Sequence, residues 1–266
     1  MPEKQTLPVV CMAFGDFPRA DKYIDCLLGM LTRHCPEPFR LICFTDRPRA
    51  VHSDIEQRDC SAWTEFDEPG MPAFMRKLGL FNPAYVEFDE YVFLDLTLLI
   101  RQSMQPLLDF ASARPEDLVL VQDWHHECCN SSVMRIRPRQ MRFIYDAFIA
   151  RELSPFAFPG DQDFIHAIVA ARSEQQRVAL LPAGMVISFK HTVRIGRRDP
   201  TQTRAVFEAA TIVKFHGRPR MHQVFDPVYR LFRIRLRDVM KGRWHRPVSP
   251  AELRELQSHW RAVGRN

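Results

Sequence analysis

A chain of 266 residues, 46% hydrophobic and 26% charged, has the composition of an ordinary folded protein and is long enough to bury a large core. No run approaches the ~20 apolar residues of a membrane-spanning helix, and the opening "MPEKQTLPVVCMAFGDF" has an acid, two prolines and an apolar run too short for a secretory leader. The net charge of +5 is uneven: Lys214 to Asn266 hold 13 Lys/Arg against 4 Asp/Glu, which leaves 24 basic and 28 acidic side chains on residues 1–213.

In chain order, "LPVVCMAF" (Leu7 to Phe14) predicts a strand, followed by a Gly-Asp-Phe-Pro turn. Ile24, Leu27, Leu28 and Leu31 then recur at the spacing of one apolar helix face. "FRLICFT" (Phe39 to Thr45) predicts the next strand, ended by Asp46 and Pro48. A Pro/Gly-containing loop leads to "MRKLGLF", a short helix, and then to "YVFLD", "LVLVQD" and "SSVMRI" as further strands. Met141, Ile144, Tyr145 and Phe148 mark another helix face, and "GDQDFIHAIVAAR" starts a helix with acids in its first turn. "TIVKFHG" is a late strand closed by His216 and Gly217. Apolar strands separated by helices predict an α/β sandwich around a mostly parallel sheet, with ligands bound beyond the carboxyl ends of the strands. The chain has no repeat, and it lacks G-x-G-x-x-G, P-loop and G-x-S-x-G motifs. That counts against a dinucleotide dehydrogenase, a P-loop nucleotidase and a serine hydrolase. The seven cysteines are odd in number and scattered, as reduced thiols in a cytoplasmic protein would be.

The strand ends are the residues to interrogate. Asp95 leaves a buried strand, either as a turn cap or as a ligand for a divalent cation on a diphosphate, which needs only one or two protein carboxylates. His216 is either a turn histidine or a neutral imidazole completing the same metal site, with Gly217 letting the backbone approach phosphate. In "GDQD", capping accounts for one acid, and the amide of Gln162 beside Asp161 suits sugar hydroxyls. Asn130, Ser131 and Ser132 are equally a turn or a hydroxyl-binding site. "HHECC" has zinc-ligand atoms, but its contiguous ligands do not fit zinc spacing.

Together these pieces resemble a GT-A (Rossmann-like) nucleotide-sugar glycosyltransferase, similar to the glycogenin and bacterial lipopolysaccharide galactosyltransferase family. The resemblance rests on "VVCMAFG", "CFTD", Lys77 in "RKLGLF", "FLDLTLLI" at the D-x-D position, "NSSVMRI", "GDQDFI" and "FHGRPR", in order over about residues 7 to 220. It implies a catalytic domain over 1–220 and a basic, partly amphipathic segment over 221–266. It further implies that Phe14, Asp16, Thr45 and Asp46 hold the base and ribose. Asp95 and His216 would hold Mn2+ or Mg2+, while Lys77, Gly217, Arg218 and Arg220 meet the diphosphate. Asn130, Ser131, Asp161 and Gln162 would face the donor sugar. The implied reaction moves a sugar from a nucleotide-diphosphate donor, UDP by default, to a glycan or lipid-linked acceptor, with retention at the anomeric carbon.

One position departs from that pattern: Thr97 stands where D-x-D has its second acid. Three outcomes are open. The metal is kept through Asp95, His216 and phosphate, basic residues replace it, or the protein has lost catalysis and binds a glycan or a partner. The tail "DPVYRLFRIRLRDVMKGRWHR" fits helical and alternating templates in parts. It reads either as a helix with solvated arginines or as an address for the anionic inner face of a membrane. It lacks a nucleic-acid recognition motif.

Overall fold

The run Leu7–Ala13 forms β1, with Val9, Val10 and Cys11 fully buried. Its parallel neighbour β2, Phe39–Thr45, is buried from Leu41 onward. Burial of both faces explains why these strands are continuous apolar runs instead of alternating ones. Beside β2 lies β3, Ile55–Asp59, and beside β1 lies β4, Tyr91–Leu94, both parallel. Then follow β6, Leu118–Gln122, β7, Cys129–Ile136, and β8, Val178–Leu180, in a seven-stranded sheet of order β3-β2-β1-β4-β7-β6-β8. Only β7 runs against its neighbours, so the sheet is mostly parallel, as expected. A second sheet orders β5, Leu98–Ile100, beside β10, Ile212–Lys214, beside β9, Val186–Ser188.

The computed structural model describes residues 6–124, 126–195, 200–217, 219–227 and 250–263. His125, Arg218 and most of the predicted tail, 228–249, lie outside the described residues. The chain divides into two units. The first comprises Met1–Ile24, Glu37–Leu96 and Gln105–Leu181 and holds the seven-stranded sheet. The second comprises Asp25–Pro36, Thr97–Met104 and Pro182–Asn266 and holds the three-stranded one. Arg220 and Met221, the junction read from the sequence, both lie in the second unit.

Helices α1 (Ala20–His34), α2 (Gln105–Ser112), α3 (Phe143–Ile149) and α4 (Asp161–Ala171) supply apolar faces at helical spacing. In the first unit, Ile144 and Phe148 of α3 and Phe164, Ile165 and Ile168 of α4 join Val10, Ile42, Phe93 and Met134 in one core. Each such side chain contributes about 1.5–3 kcal/mol on burial. The 3₁₀ segment Ala73–Phe81 adds Met75, Leu78 and Phe81 to that core and, with its buried face anchored, holds Lys77 in place. The second unit adds α5 (Pro200–Ala209), α6 (Met221–Phe225) and α7 (Pro250–His259), with α7 packed on β5 and α6.

Candidate functional site

Lys77, Ser131 and Asp161 are far apart in sequence and meet in the first unit. The Lys77 ammonium donates to Ser131 Oγ at 3.1 Å and lies 3.3 and 3.1 Å from the two Asp161 oxygens. Ser131 donates to Asp161 Oδ2 at 2.6 Å. Asp161 is the first residue of α4, where the unpaired amides and helix dipole favour an anion. Burial pulls the Lys77 pKa down, but the Asp161 and Asp95 carboxylates outweigh it and hold it above the ordinary value, so the side chain is a fixed cation. Lys77 also lies 5.5 Å from the Phe93 ring centroid. Asp95, just past the end of β4, is fixed by its backbone N–H donating to the Ser132 carbonyl at 2.9 Å.

A second group of amides adjoins the first. Asn130 Nδ2 donates to Gln162 Oε1 at 2.9 Å and to Asp123 Oδ2 at 3.3 Å, and Gln162 Nε2 lies 3.4 Å from the same Asp123 oxygen. The Asn130 carbonyl oxygen accepts from Ser132 N–H at 3.1 Å and Ser132 Oγ at 2.5 Å, which sets the orientation of the amide. Four of the sequence candidates therefore fall into two hydrogen-bonded groups that adjoin along the chain, Ser131 and Asp161 with Lys77, and Asn130 and Gln162 with Asp123. Asp123 was missed, although it ends the apolar run "LVLVQD" in the same way that Asp95 ends "YVFLD". Burial pushes the neighbouring Cys128 and Cys129 thiols up to about 11 and about 12, far from the thiolate a nucleophile requires.

The carboxyl ends of β1 and β2 form a further cluster. Gly15 has φ +61, a left-handed conformation glycine adopts without strain, and its N–H donates to Asp46 Oδ2 at 2.8 Å. Arg49, missed in the sequence, organises this corner. It donates to Thr45 Oγ1 at 2.8 Å, the Ala13 carbonyl at 3.1 Å and Asp46 Oδ1 at 3.0 Å. Its signal was an arginine three residues beyond a strand-end aspartate. Phe14 packs against the core, whereas Asp16 is fully exposed and lies 3.5 Å from Arg47.

His216, Gly217 and Arg220 belong to the second unit. His216 Nδ1 lies 3.5 Å from Ser188 Oγ, and its ring stacks on His191 with centroids 5.2 Å apart. Gly217 again has positive φ, +65, with open space where a Cβ would stand. Arg220 N–H donates to Gln223 Oε1 at 2.8 Å at the start of α6. Lys214, which the sequence reading passed over, is buried and donates to Thr97 Oγ1 at 2.7 Å. An ammonium already occupies the hydroxyl at the second-acid position, and among the described residues no three His, Cys, Asp or Glu side chains group as metal ligands.

No family model and no curated protein matches the chain. Solved structures do resemble it. The galactosyltransferase LgtC, in complex with donor and acceptor sugar analogues, is 12% identical at a TM-score of 0.56, covering 94% of this chain and all of that one. The bifunctional glycosyltransferase WbbM is 14% identical at 0.59, covering 95% of this chain and 51% of its own. Mouse xyloside xylosyltransferase 1 is 13% identical at 0.51, covering 81% of this chain and 98% of its own. The likeness establishes the fold, that of the GT-A glycosyltransferases.

Proposed function

We propose that the chain is a glycosyltransferase that moves a sugar from a nucleoside-diphosphate donor, UDP-linked in the first instance, to a glycan or lipid-linked acceptor. The GT-A fold supports glycosyl transfer in general. The observation that carries the reading is the Lys77–Ser131–Asp161 cluster, continuous with Asn130 and Gln162 at the start of α4. It combines a fixed cation with several sugar-directed hydrogen-bonding groups on rigid elements. In the reaction the bond between the anomeric carbon and the diphosphate oxygen breaks, and the leaving group takes the electron pair. The acceptor oxygen forms the new bond, and its proton leaves on the diphosphate. Negative charge grows on the leaving phosphate as the sugar becomes oxocarbenium-like, and Lys77 is placed to stabilise that charge. Both Asp161 oxygens already face Lys77, so this carboxylate serves as an anchor for hydroxyls. That use of Asp161 supports retention, which needs no protein base at the acceptor. The Arg49–Asp46 corner with Gly15 is assigned to the nucleoside end.

Thr97 favours one second reading, a GT-A protein that binds sugar nucleotides without turnover. Release of nucleoside diphosphate from UDP-, GDP- and dTDP-sugars separates the two. The transferase reading expects release from one donor family and a loss of about 100-fold in Lys77→Met, the cost of removing one charge-stabilising donor. Binding without release in every case would favour the second reading.

A further inference from the structure

Helix α4 packs on β7, and two further strands, β6 and β8, continue the sheet beyond it. Strands lie about 4.8 Å apart, so β8 sits roughly 10 Å outward of β7, past the reach of one helix about 10 Å across. The uncovered strip is a groove of about 210 Å³. Leu120, Cys129, Ile165, Val169, Val178 and Leu180 line it, all within the first unit. Val178 and Leu180 share one side of β8, as alternate residues do, while Ala179 is buried on the other. Leu180 is 41% exposed, so an apolar side chain here faces open groove instead of core. The polar neighbours Gln122 and His166 are exposed at its margin.

The groove runs to the sugar-directed groups. From the level of Val178, paired with Leu118, to Gln122 at the end of β6 is a span of four residues, about 13 Å. The next residue is Asp123, which accepts from Asn130 and Gln162. Cys129 Sγ lies 3.7 Å from the Gln162 carbonyl oxygen, and Cys128 Sγ lies 4.0 Å from Gln162 Nε2. These two thiols, protonated and therefore neutral, wall the groove and also touch the amide group. The size selects the occupant. An apolar cavity of about 150 Å³ accepts benzene, so this groove has room for a ring or a short run of methylenes. A protein partner needs about 800 Å² on each side, far more than so short a strip provides.

We propose that the groove seats the hydrocarbon chain of the acceptor, whose head group then lies at the carboxyl end of β6, where its hydroxyl meets the donor sugar. The acceptor is thus lipid-linked and not a free glycan. This rests on the transferase reading above. The groove adds binding and no chemistry, so it lowers KM and leaves kcat unchanged.

Two measurements on the full chain test this. Fluorescence titration with N-phenyl-1-naphthylamine, a neutral apolar probe, reads the groove directly, with octyl and methyl β-glycosides of glucose, galactose and N-acetylglucosamine as competitors. Release of nucleoside diphosphate from UDP-, GDP- and dTDP-sugars, with the same glycosides as acceptors, reads transfer. Octyl glycosides should displace the probe about 10-fold better than methyl glycosides, or more, the effect of burying as few as two methylenes. The best octyl acceptor should show a KM lower by a similar factor at equal kcat. Leu180→Asp, at an exposed edge position, puts a charge in the groove, and Val169→Trp fills it. Each should erase the octyl advantage, with circular dichroism to check folding; Leu180→Asp gives the readout if Val169→Trp does not fold. An octyl advantage that survives in folded Leu180→Asp overturns the proposal. Octyl and methyl glycosides that stimulate release equally, or not at all, overturn it too, and the transferase reading then stands on release from the donor alone. No release from any donor under any condition rejects both.

Discussion

At the scale of single residues, Lys77 joins structure to chemistry. Removing one partner of a buried ion pair leaves the other charge uncompensated, at a cost of about 3–5 kcal/mol. Lys77→Met keeps the apolar stem over Phe93 but strands Asp161, so we expect its melting temperature to fall by about 10 °C. The pH dependence has a definite sign. Folding raises the Lys77 pKa, so its contribution is fully present below the ordinary value of 10.5 and is lost as pH rises through the higher folded value. Urea unfolding of native and Lys77→Met proteins should therefore show a stability gap that is constant near neutrality and narrows above 10.5. A gap that stays constant through that range would remove Lys77 from the account. At this scale the sequence was informative about residue type but not about partners. Lys77, Ser131 and Asp161 were each visible as motif members. Their hydrogen-bond triangle depends on residues 54, 84 and 30 positions apart, which no local pattern encodes. Lys214 and Arg49 were passed over because each reads as one more basic residue until its oxygen partner is known.

Among the elements, α7 shows how the second unit holds the end of the chain. The Arg33 guanidinium donates to the His259 carbonyl at 2.7 Å and the Arg261 carbonyl at 3.0 Å, capping the negative end of α7. Arg101 pairs with Glu255 on the same helix. Gly29 of α1 allows the close approach, since a Cβ there would lie 2.2 Å from the Arg261 carbonyl oxygen. At this junction His34 and His259 lie with ring nitrogens 3.4 Å apart, near Arg33, Arg101 and Glu255. Burial first, then nearby positive charge, lowers both pKa values from 6.5. A lowered histidine pKa means that the stabilisation is present above 6.5 and is lost as pH falls through the folded values. Amide protection in Pro250–His259, corrected for the intrinsic exchange rate, should fall on acidification below 6.5 more than protection in β1, and His34→Gln/His259→Gln should abolish the difference. An equal loss of protection in both regions would refute this pH dependence. The legibility of elements followed their burial. β1 and β2 read almost to the residue because both faces are covered. β3 was read as loop because it is an edge strand in which only Ile55 is buried, and β5, β8 and β9 are three residues each, too short for a periodicity. That β7 runs antiparallel is a property of chain path, which the apolar pattern of "SSVMRI" does not carry.

For the whole molecule the main fact is charge. Lys214 to Asn266 carry an excess of nine positive charges, against a net of minus four over the rest of the chain. Polybasic segments gain about 1 kcal/mol per Lys or Arg near an anionic lipid surface. A transferase acting on a lipid-linked acceptor gains from being held at such a surface. Truncation at Arg220 would be a poor test, because it removes α7 with its buried Leu253 and Leu256 and so perturbs folding. Changing Arg230, Arg233, Arg235 and Arg237 to glutamine keeps α7 and removes four charges. Flotation with phosphatidylserine-rich vesicles at low salt should carry the native chain upward. The four-fold variant should bind about 4 kcal/mol more weakly, on the order of a thousandfold, and so stay at the bottom of the gradient. Added salt should release the native chain as well, because the attraction is screened over a Debye length of about 10 Å at 0.1 M. Neutral vesicles should carry neither protein. Flotation of the variant alongside the native chain would place the attraction elsewhere on the molecule, and a native chain that stays down with anionic vesicles would dismiss a membrane role for these arginines.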